Sequence, residues 1–193
     1  MPPRIRLATE ADADQVLAIY GPFCYTPVSF EVEAPSLEEM RRRLAAVAER
    51  FPWLVCVEDG RVLGYAYASS HRARTAYQWS VEVSAYVADG MRGRGIGKEL
   101  YTRLFQILVL QGFVNAYAGI TLPNPASVRL HESVGFSALG VYHGIGFKYG
   151  TWHDVGWWEK TLCARPANPN PPAALSDALA KLPAVRSLIE TER

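Results

Sequence analysis

The stretch Arg92-Gly93-Arg94-Gly95-Ile96-Gly97 joins a strand-like run, SVEVSAYV, to a helix-like one, KELYTRLFQILVLQG. Three glycines within five positions give up chain entropy and add no side chain to a core. A chain tolerates that where its backbone must turn sharply or lie close to something else. Backbone N–H groups in the first turn of a helix lack intrahelical partners, and the helix dipole adds partial positive charge; cleared of side chains, they form an anion site. Arg92, Arg94 and Lys98 can add charge-assisted contacts to the same anion. The alternative is an ordinary glycine turn with solvated basic residues.

The rest of the chain supplies the frame around this junction. Thr9 with Asp12 resembles a helix cap, which predicts a first helix from about Thr9 to Gly21. Ser36 and Glu39 form a capping box before MRRRLAAVAER. Asp59-Gly60 between two β-rich runs predicts a tight hairpin. In SVEVSAYV, Val81, Val83, Ala85 and Val87 share one face, leaving Glu82, Ser84 and Tyr86 on the other. A helix follows from about Ile96 to Gln111, then the strand FVNAYAGIT. Asn124 as cap, Pro125 at the first position and Gly135 as left-handed stop predict another helix. DVGWWEKT is expected to close the sheet. The order reads ααββ, then β-α-β-α-β.

At 193 residues, the length suits one α/β domain. Its expected extent is residues 1–163, followed by a proline-rich linker and an amphipathic helical tail over 164–193, treated as an appendage without a role. Lys and Arg total 20 against 19 Asp and Glu, so no global field favours nucleic acid or an anionic membrane. No apolar leader or spanning segment is evident, which makes a cytoplasmic protein the expectation. Cys24, Cys56 and Cys163 are scattered and show no metal-ligand spacing, so free thiols and no metal are expected.

Several phosphate-binding loops compete for the glycines. A dinucleotide-binding fingerprint needs glycine where Lys98 stands. A Walker A loop needs glycine at Arg92 and Ser or Thr at Glu99. The spacing R-x-x-G-x-G fits, through Arg92, Gly95 and Gly97. So does N-x-x-[AS]-x-x-x-[YH]-x-x-x-G-F, through Asn124, Ser127, His131, Gly135 and Phe136. Together these resemble the Gcn5-related N-acetyltransferase (GNAT) superfamily. AYQWSVEVSAYV, GITLPNPASVRLHESVGF, GFKYGTWHDVGWWEK and TPVSFEVEAPS are similar to its phosphinothricin and methionine sulfoximine N-acetyltransferases, over about residues 3–162.

The resemblance implies a mixed, mostly antiparallel sheet flanked by helices and splayed at an acetyl-CoA site. Acetyl-CoA would lie against Ala85, Tyr86 and Val87, with its pyrophosphate on Arg92, Gly93, Arg94, Gly95, Ile96, Gly97 and Lys98. Asn124 and Ser127 would add contacts, although Asn124 is also a plain helix cap. Glu82 falls where the family places its base, and His131 where relatives carry the residue that protonates the departing thiolate. Read without the resemblance, Glu82 is a solvent-facing strand residue and His131 a surface helix histidine.

For the acceptor, Arg72 and Arg74 can clamp a carboxylate and a second polar head group. Tyr77, Phe30 and Ser29 are weaker candidates, with His143, Lys148 and His153 lining the same cleft. The implied partners are a small amino-acid substrate and a second copy of the chain, since relatives are commonly dimers. Acetylation of another amine, a polyamine or a protein N-terminus is the enzymatic alternative. A non-catalytic acyl-CoA-binding module is the other, and the presence of both Glu82 and His131 argues against it.

Overall fold

A computed structural model describes residues 3–190 of the chain. Its strands are β1 (Arg4–Leu7), β2 (Trp53–Glu58), β3 (Arg61–Ser70), β4 (Ser80–Val87), β5 (Asn115–Thr121), β6 (Ser137–Lys148) and β7 (Thr151–Thr161). The helices are α1 (Ala13–Cys24), α2 (Leu37–Ala48), α3 (Ile96–Gln111), α4 (Pro125–Ser133), α5 (Leu175–Lys181) and α6 (Pro183–Glu190). The strands form one sheet in the order β1-β2-β3-β4-β5-β7-β6, antiparallel throughout except for the β4–β5 pair. That is the mixed, mostly antiparallel α/β sheet expected from the sequence.

Period-two alternation sorts side chains between the two faces of the sheet. From β2, Leu54 and Cys56 join one core cluster; Trp53, Val55 and Val57 join the other. Both faces are covered, so β2 reads as an unbroken apolar run. Helices α1 and α2 cover one face through Val16, Ile19, Met40 and Leu44. Helix α3 covers the other through Leu100, Leu104, Ile107 and Leu108, all fully buried. Each such leucine contributes about 1.5–3 kcal/mol of transfer free energy. The local signals act as read. Asp59 and Gly60 take φ of 48° and 78°, matching a two-residue hairpin turn, and Ser36 Oγ accepts from Glu39 N at 3.1 Å.

Four expectations are corrected. Strand β1 is a single four-residue stretch that the sequence reading passed over. Thr9 and Asp12 do form a capping box, but on a separate 3-10 turn at Glu10–Asp12; α1 starts at Ala13 and runs through Gly21 and Pro22 to the fully buried Cys24. DVGWWEKT lies inside the sheet, because β6 forms the edge beyond β7. Gly140, Gly144 and Gly146 interrupt the β6 pattern, and its register shifts twice, which conceals it from a period-two reading. Finally, the tail is seated on the domain. Leu175, Ala178 and Val185 are buried in the α3-side core, and Ala173 N donates to the Gln111 carbonyl at 2.8 Å. No helix among the described residues is long and apolar enough to cross a membrane.

Candidate active site

Strands β4 and β5 pair over only three positions, Ser80 with Asn115, Val81 with Ala116 and Glu82 with Tyr117. Past Glu82, β4 stays with β3 as far as Val87, and past Tyr117, β5 stays with β7 as far as Thr121. The sheet therefore forks, and the two diverging strands leave each other's main-chain groups unpaired. A cleft of about 640 Å³ opens in the fork. Ala85, Tyr86 and Val87 line one wall, Gly119 to Thr121 the other, and Ser127 and His131 of α4, with Asn124 just before it, close it. Arg92, Lys98 and Arg129 bring cations to the lining, which includes no aspartate or glutamate. Arg129, Phe23, Val28 and Met91 had no distinguishing signal in the sequence.

The three glycines answer different needs. Gly93 and Gly95 take left-handed φ of 78° and 79°, with Gly95 capping α3. Gly97 is ordinary helix, and an added Cβ there would stand 3.0 Å from Leu130 Cδ2. The close approach at Gly97 is thus α3 against α4, while the first two glycines shape the turn that brings the start of α3 to the cleft lining. Arg92 lies 5.5 Å from the Phe23 ring. Arg94, expected at the anion site, instead pairs with Glu58 at 3.7 Å and donates to Met91 Sδ at 3.0 Å, drawn off by that carboxylate.

Glu82 occupies the last rung before the fork. His71, which the sequence reading did not single out, places Nδ1 3.0 Å from Glu82 Oε1, and Arg72 Nη1 lies 3.6 Å from the same oxygen. The His71 ring stacks on Tyr117 at 4.5 Å and meets Tyr77 edge-on at 6.2 Å. A signal for His71 existed: Ser69 pairs with Glu82 across β3 and β4, so the residue two further on emerges beside that carboxylate.

His131 borders the cleft but is only 5% exposed. Its Nδ1 donates to the Ser127 carbonyl at 2.8 Å, so Nε2 of the neutral ring accepts from the Tyr101 hydroxyl at 2.9 Å. Burial pushes this imidazole below its usual range, opposed by the Ser127 carbonyl. This corrects the expectation of a histidine titrating normally and ready to protonate a thiolate. Because the folded imidazole resists protonation, the unfolded chain binds the proton first below about pH 6.5. Stability attributable to His131 is therefore complete above that pH and declines as pH falls, by about 1.4 kcal/mol per pH unit until the folded ring titrates. Thermal unfolding at about pH 7.5 and about pH 5 should show a smaller pH-induced loss of Tm for His131→Gln than for wild type; equal losses would refute this assignment.

Asn124 Oδ1 accepts from Ser127 N at 3.1 Å, so Asn124 is the helix cap it resembles and also lines the cleft. Of the acceptor candidates, Arg72 and Tyr77 gather around His71 and Glu82. Arg74 is exposed and opens the 3-10 turn Thr75–Tyr77, its carbonyl accepting from Tyr77 N at 2.9 Å; its guanidinium has no recorded partner among the described residues. Phe30 lies over Gly146 of β6, 6.3 Å from the His153 ring. Ser29 is buried, with its hydroxyl 2.8 Å from that of Tyr20. Lys148 is buried too, and its ammonium donates to the carbonyls of Cys24, Thr26, Ser29 and Glu31 at 2.6–2.8 Å. It pins the loop that carries Val28 to the cleft and does not line the cleft itself. His143 is exposed and pairs with Asp154; His153 is tied to the Lys148 carbonyl at 3.0 Å.

Comparison with known proteins bears on the chain as a whole. Residues 5–157 match the acetyltransferase (GNAT) domain family. The phosphinothricin N-acetyltransferase of Streptomyces viridochromogenes is 42% identical over 171 residues, covering 88% of this chain and 93% of its own. An L-methionine sulfoximine/L-methionine sulfone acetyltransferase of Salmonella typhimurium is 32% identical over 163 residues, covering 82% and 94%. Among solved structures, a phosphinothricin acetyltransferase from Sinorhizobium meliloti in complex with AcCoA superposes with a TM-score of 0.81 at 32% identity, covering 91% of this chain and 99% of that one. With the forked sheet, the glycine-capped helix and these matches in agreement, the chain belongs to the GNAT acetyltransferase family.

Proposed function

We propose that the protein transfers acetyl from acetyl-CoA to the α-amino group of phosphinothricin-like or methionine-sulfoximine-like amino acids. The observation that carries this reading is the fork: a cleft lined by Arg92, Lys98 and Arg129 on one side of its apex, and a carboxylate with a neighbouring guanidinium on the other. The cleft suits acetyl-CoA, since Arg92, Lys98 and the amides at the start of α3 suit a pyrophosphate. The unpaired strand edges of β4 and β5 suit the amide-bearing arm that follows. The relatives' names supply the acceptor class.

Acetyl transfer requires the acceptor's ammonium to lose a proton before its nitrogen can attack the thioester. Glu82 provides the negative charge that drives this loss. As the intermediate collapses, the nitrogen sheds a second proton, which balances the departing thiolate; the neutral, doubly engaged His131 is not needed as its source. Arg72 is the residue that meets the acceptor's carboxylate. A polyamine would meet the Arg72 guanidinium beside Glu82, a like charge that disfavours it.

Substitution of Arg72 tests the acceptor side. Arg72→Ala should raise the acceptor's KM, or lower kcat/KM, by the equivalent of about 1.5–3 kcal/mol for a lost charged hydrogen bond. Acetyl-CoA affinity should be unchanged. A wild-type KM in that variant would remove Arg72 from the acceptor site.

A homodimer through β6 is part of the same reading. That strand is an edge, and Leu139, Tyr142, Ile145 and Phe147 on it are 48–61% exposed, with Trp152 of β7 at 66%. Long apolar edges associate. Light scattering should return twice the chain mass of 21.4 kDa; a monomer at micromolar concentration would contradict it.

A further inference from the structure

We propose that His71 is the proton acceptor of the reaction: Nε2 takes the proton from the acceptor's ammonium while Glu82 holds the ring and the charge it acquires. The inference rests on the acetyl-transfer reading above and refines it. Glu82 and Tyr117 form the rung at which β4 and β5 part, and His71 is bound to both, by a 3.0 Å contact to Glu82 Oε1 and by stacking on Tyr117. The imidazole therefore sits at the apex of the fork, where the strands open toward the cleft. Trp157 of β7 closes another side at 6.1 Å.

An ionised carboxylate can only accept hydrogen bonds, so in the neutral ring Nδ1 is the donor and Nε2 keeps its lone pair. Arg72 Nη1 lies 3.6 Å from the same Glu82 Oε1, so Glu82 stands between His71 and a guanidinium and serves as the charge that orients the ring. Imidazoles are in general stronger bases than carboxylates and lie nearer neutral pH, where a general base is most effective. The titratable or charged groups facing His71 are Glu82 from β4, Arg72 beside it, Tyr77 from the 3-10 turn and Tyr117 from β5.

The protons and electrons balance. The ammonium N–H bond breaks, Nε2–H forms, and the electron pair stays on the amine nitrogen. That nitrogen forms the new bond to the thioester carbon, the C–S bond breaks with its pair on sulfur, and the second proton the nitrogen then sheds balances the thiolate. The side chain of His71 is 14% exposed, which lets the imidazolium return its proton to solvent as the product leaves.

Two measurements decide the matter. Nitrogen-15 NMR of the free wild-type protein, at a pH where the ring is neutral, should show His71 as the Nδ1–H tautomer. Free imidazole side chains prefer the opposite one, so an Nε2–H tautomer would overturn the dyad whatever the acceptor turns out to be. In the second, His71→Phe keeps a ring on Tyr117 but has no lone pair. It should bind acetyl-CoA normally, lose about 10²-fold in kcat and lack the rising limb of the wild-type pH–rate profile. His71→Gln can still donate to Glu82, so a purely positioning role would be rescued by glutamine. Wild-type rates and pH dependence in either variant would overturn the proposal. If wild type acetylates no amino acid, it is the acceptor reading that fails, and the tautomer still tests the dyad separately.

Discussion

Glu82→Gln should bind acetyl-CoA as tightly as wild type and turn over about 10²–10⁴-fold more slowly, the usual contribution of positioned acid–base chemistry. The amide preserves the shape of the side chain at the last rung of β4 and β5, and its oxygen can still accept from His71. What disappears is the negative charge that draws the ammonium proton and stabilises the cation formed. Thiol release under saturating substrates measures the turnover, and calorimetry the affinity. A rate within a few-fold of wild type across about pH 6 to 9 would remove Glu82 from the chemistry.

The second large effect belongs to the glycine loop. Gly95 caps α3 at φ 79°, a conformation that costs a residue with a Cβ about 1–2 kcal/mol and a β-branched residue more. No heavy atom lies within 4 Å of a Cβ added there, so the protein itself has room for a side chain. Gly95 lines the cleft, however, and a valine would crowd the amides proposed to hold the pyrophosphate. Gly95→Val should lose the equivalent of two charged hydrogen bonds, ~1.5–3 kcal/mol each, or about 10²-fold or more in acetyl-CoA Kd. An unchanged Kd in a folded Gly95→Val protein would remove the pyrophosphate from this loop.

Local chemistry was legible in the sequence wherever a residue type has a strong reason to occupy one conformation. Asp59-Gly60, Ser36, Asn124 and Gly135 each do in the structure what their type favours. Gly93 and Gly95 pointed to a junction that lines the cleft. Gly97 could not be told apart from them, because its constraint is Leu130 of a helix distant in sequence. Strand β6 was illegible for a related reason. Its glycines and bulges accommodate Phe30 and the edge of the sheet, and they erase the alternation by which strands are recognised.

The candidate side chains divide along the same line. Glu82 stood out on the polar face of a clean strand. His71 did not, because only the pairing of β3 with β4 brings it to that carboxylate. The state of His131 could not be read at all, since it depends on burial among Tyr101, Phe136 and the Ser127 carbonyl. Arg94 and Lys148 are the opposite case. Their charges suggested ligand contacts, and partners elsewhere in the fold, Glu58 for one and four carbonyls for the other, hold them instead.

The most direct test of the whole account is to incubate the protein with acetyl-CoA and, in parallel, methionine sulfoximine, phosphinothricin, methionine, spermidine and a short peptide. Thiol release is followed, and the acetylated nitrogen is identified by mass spectrometry and NMR. Methionine sulfoximine or phosphinothricin should give the highest kcat/KM, with one thiol released per acetyl group found on the α-nitrogen. Methionine should lag, because its thioether lacks the polar head group that the favoured amino acids would present to a second cation such as Arg74. Faster acetylation of spermidine or the peptide, or no thiol release with either favoured amino acid, would contradict it.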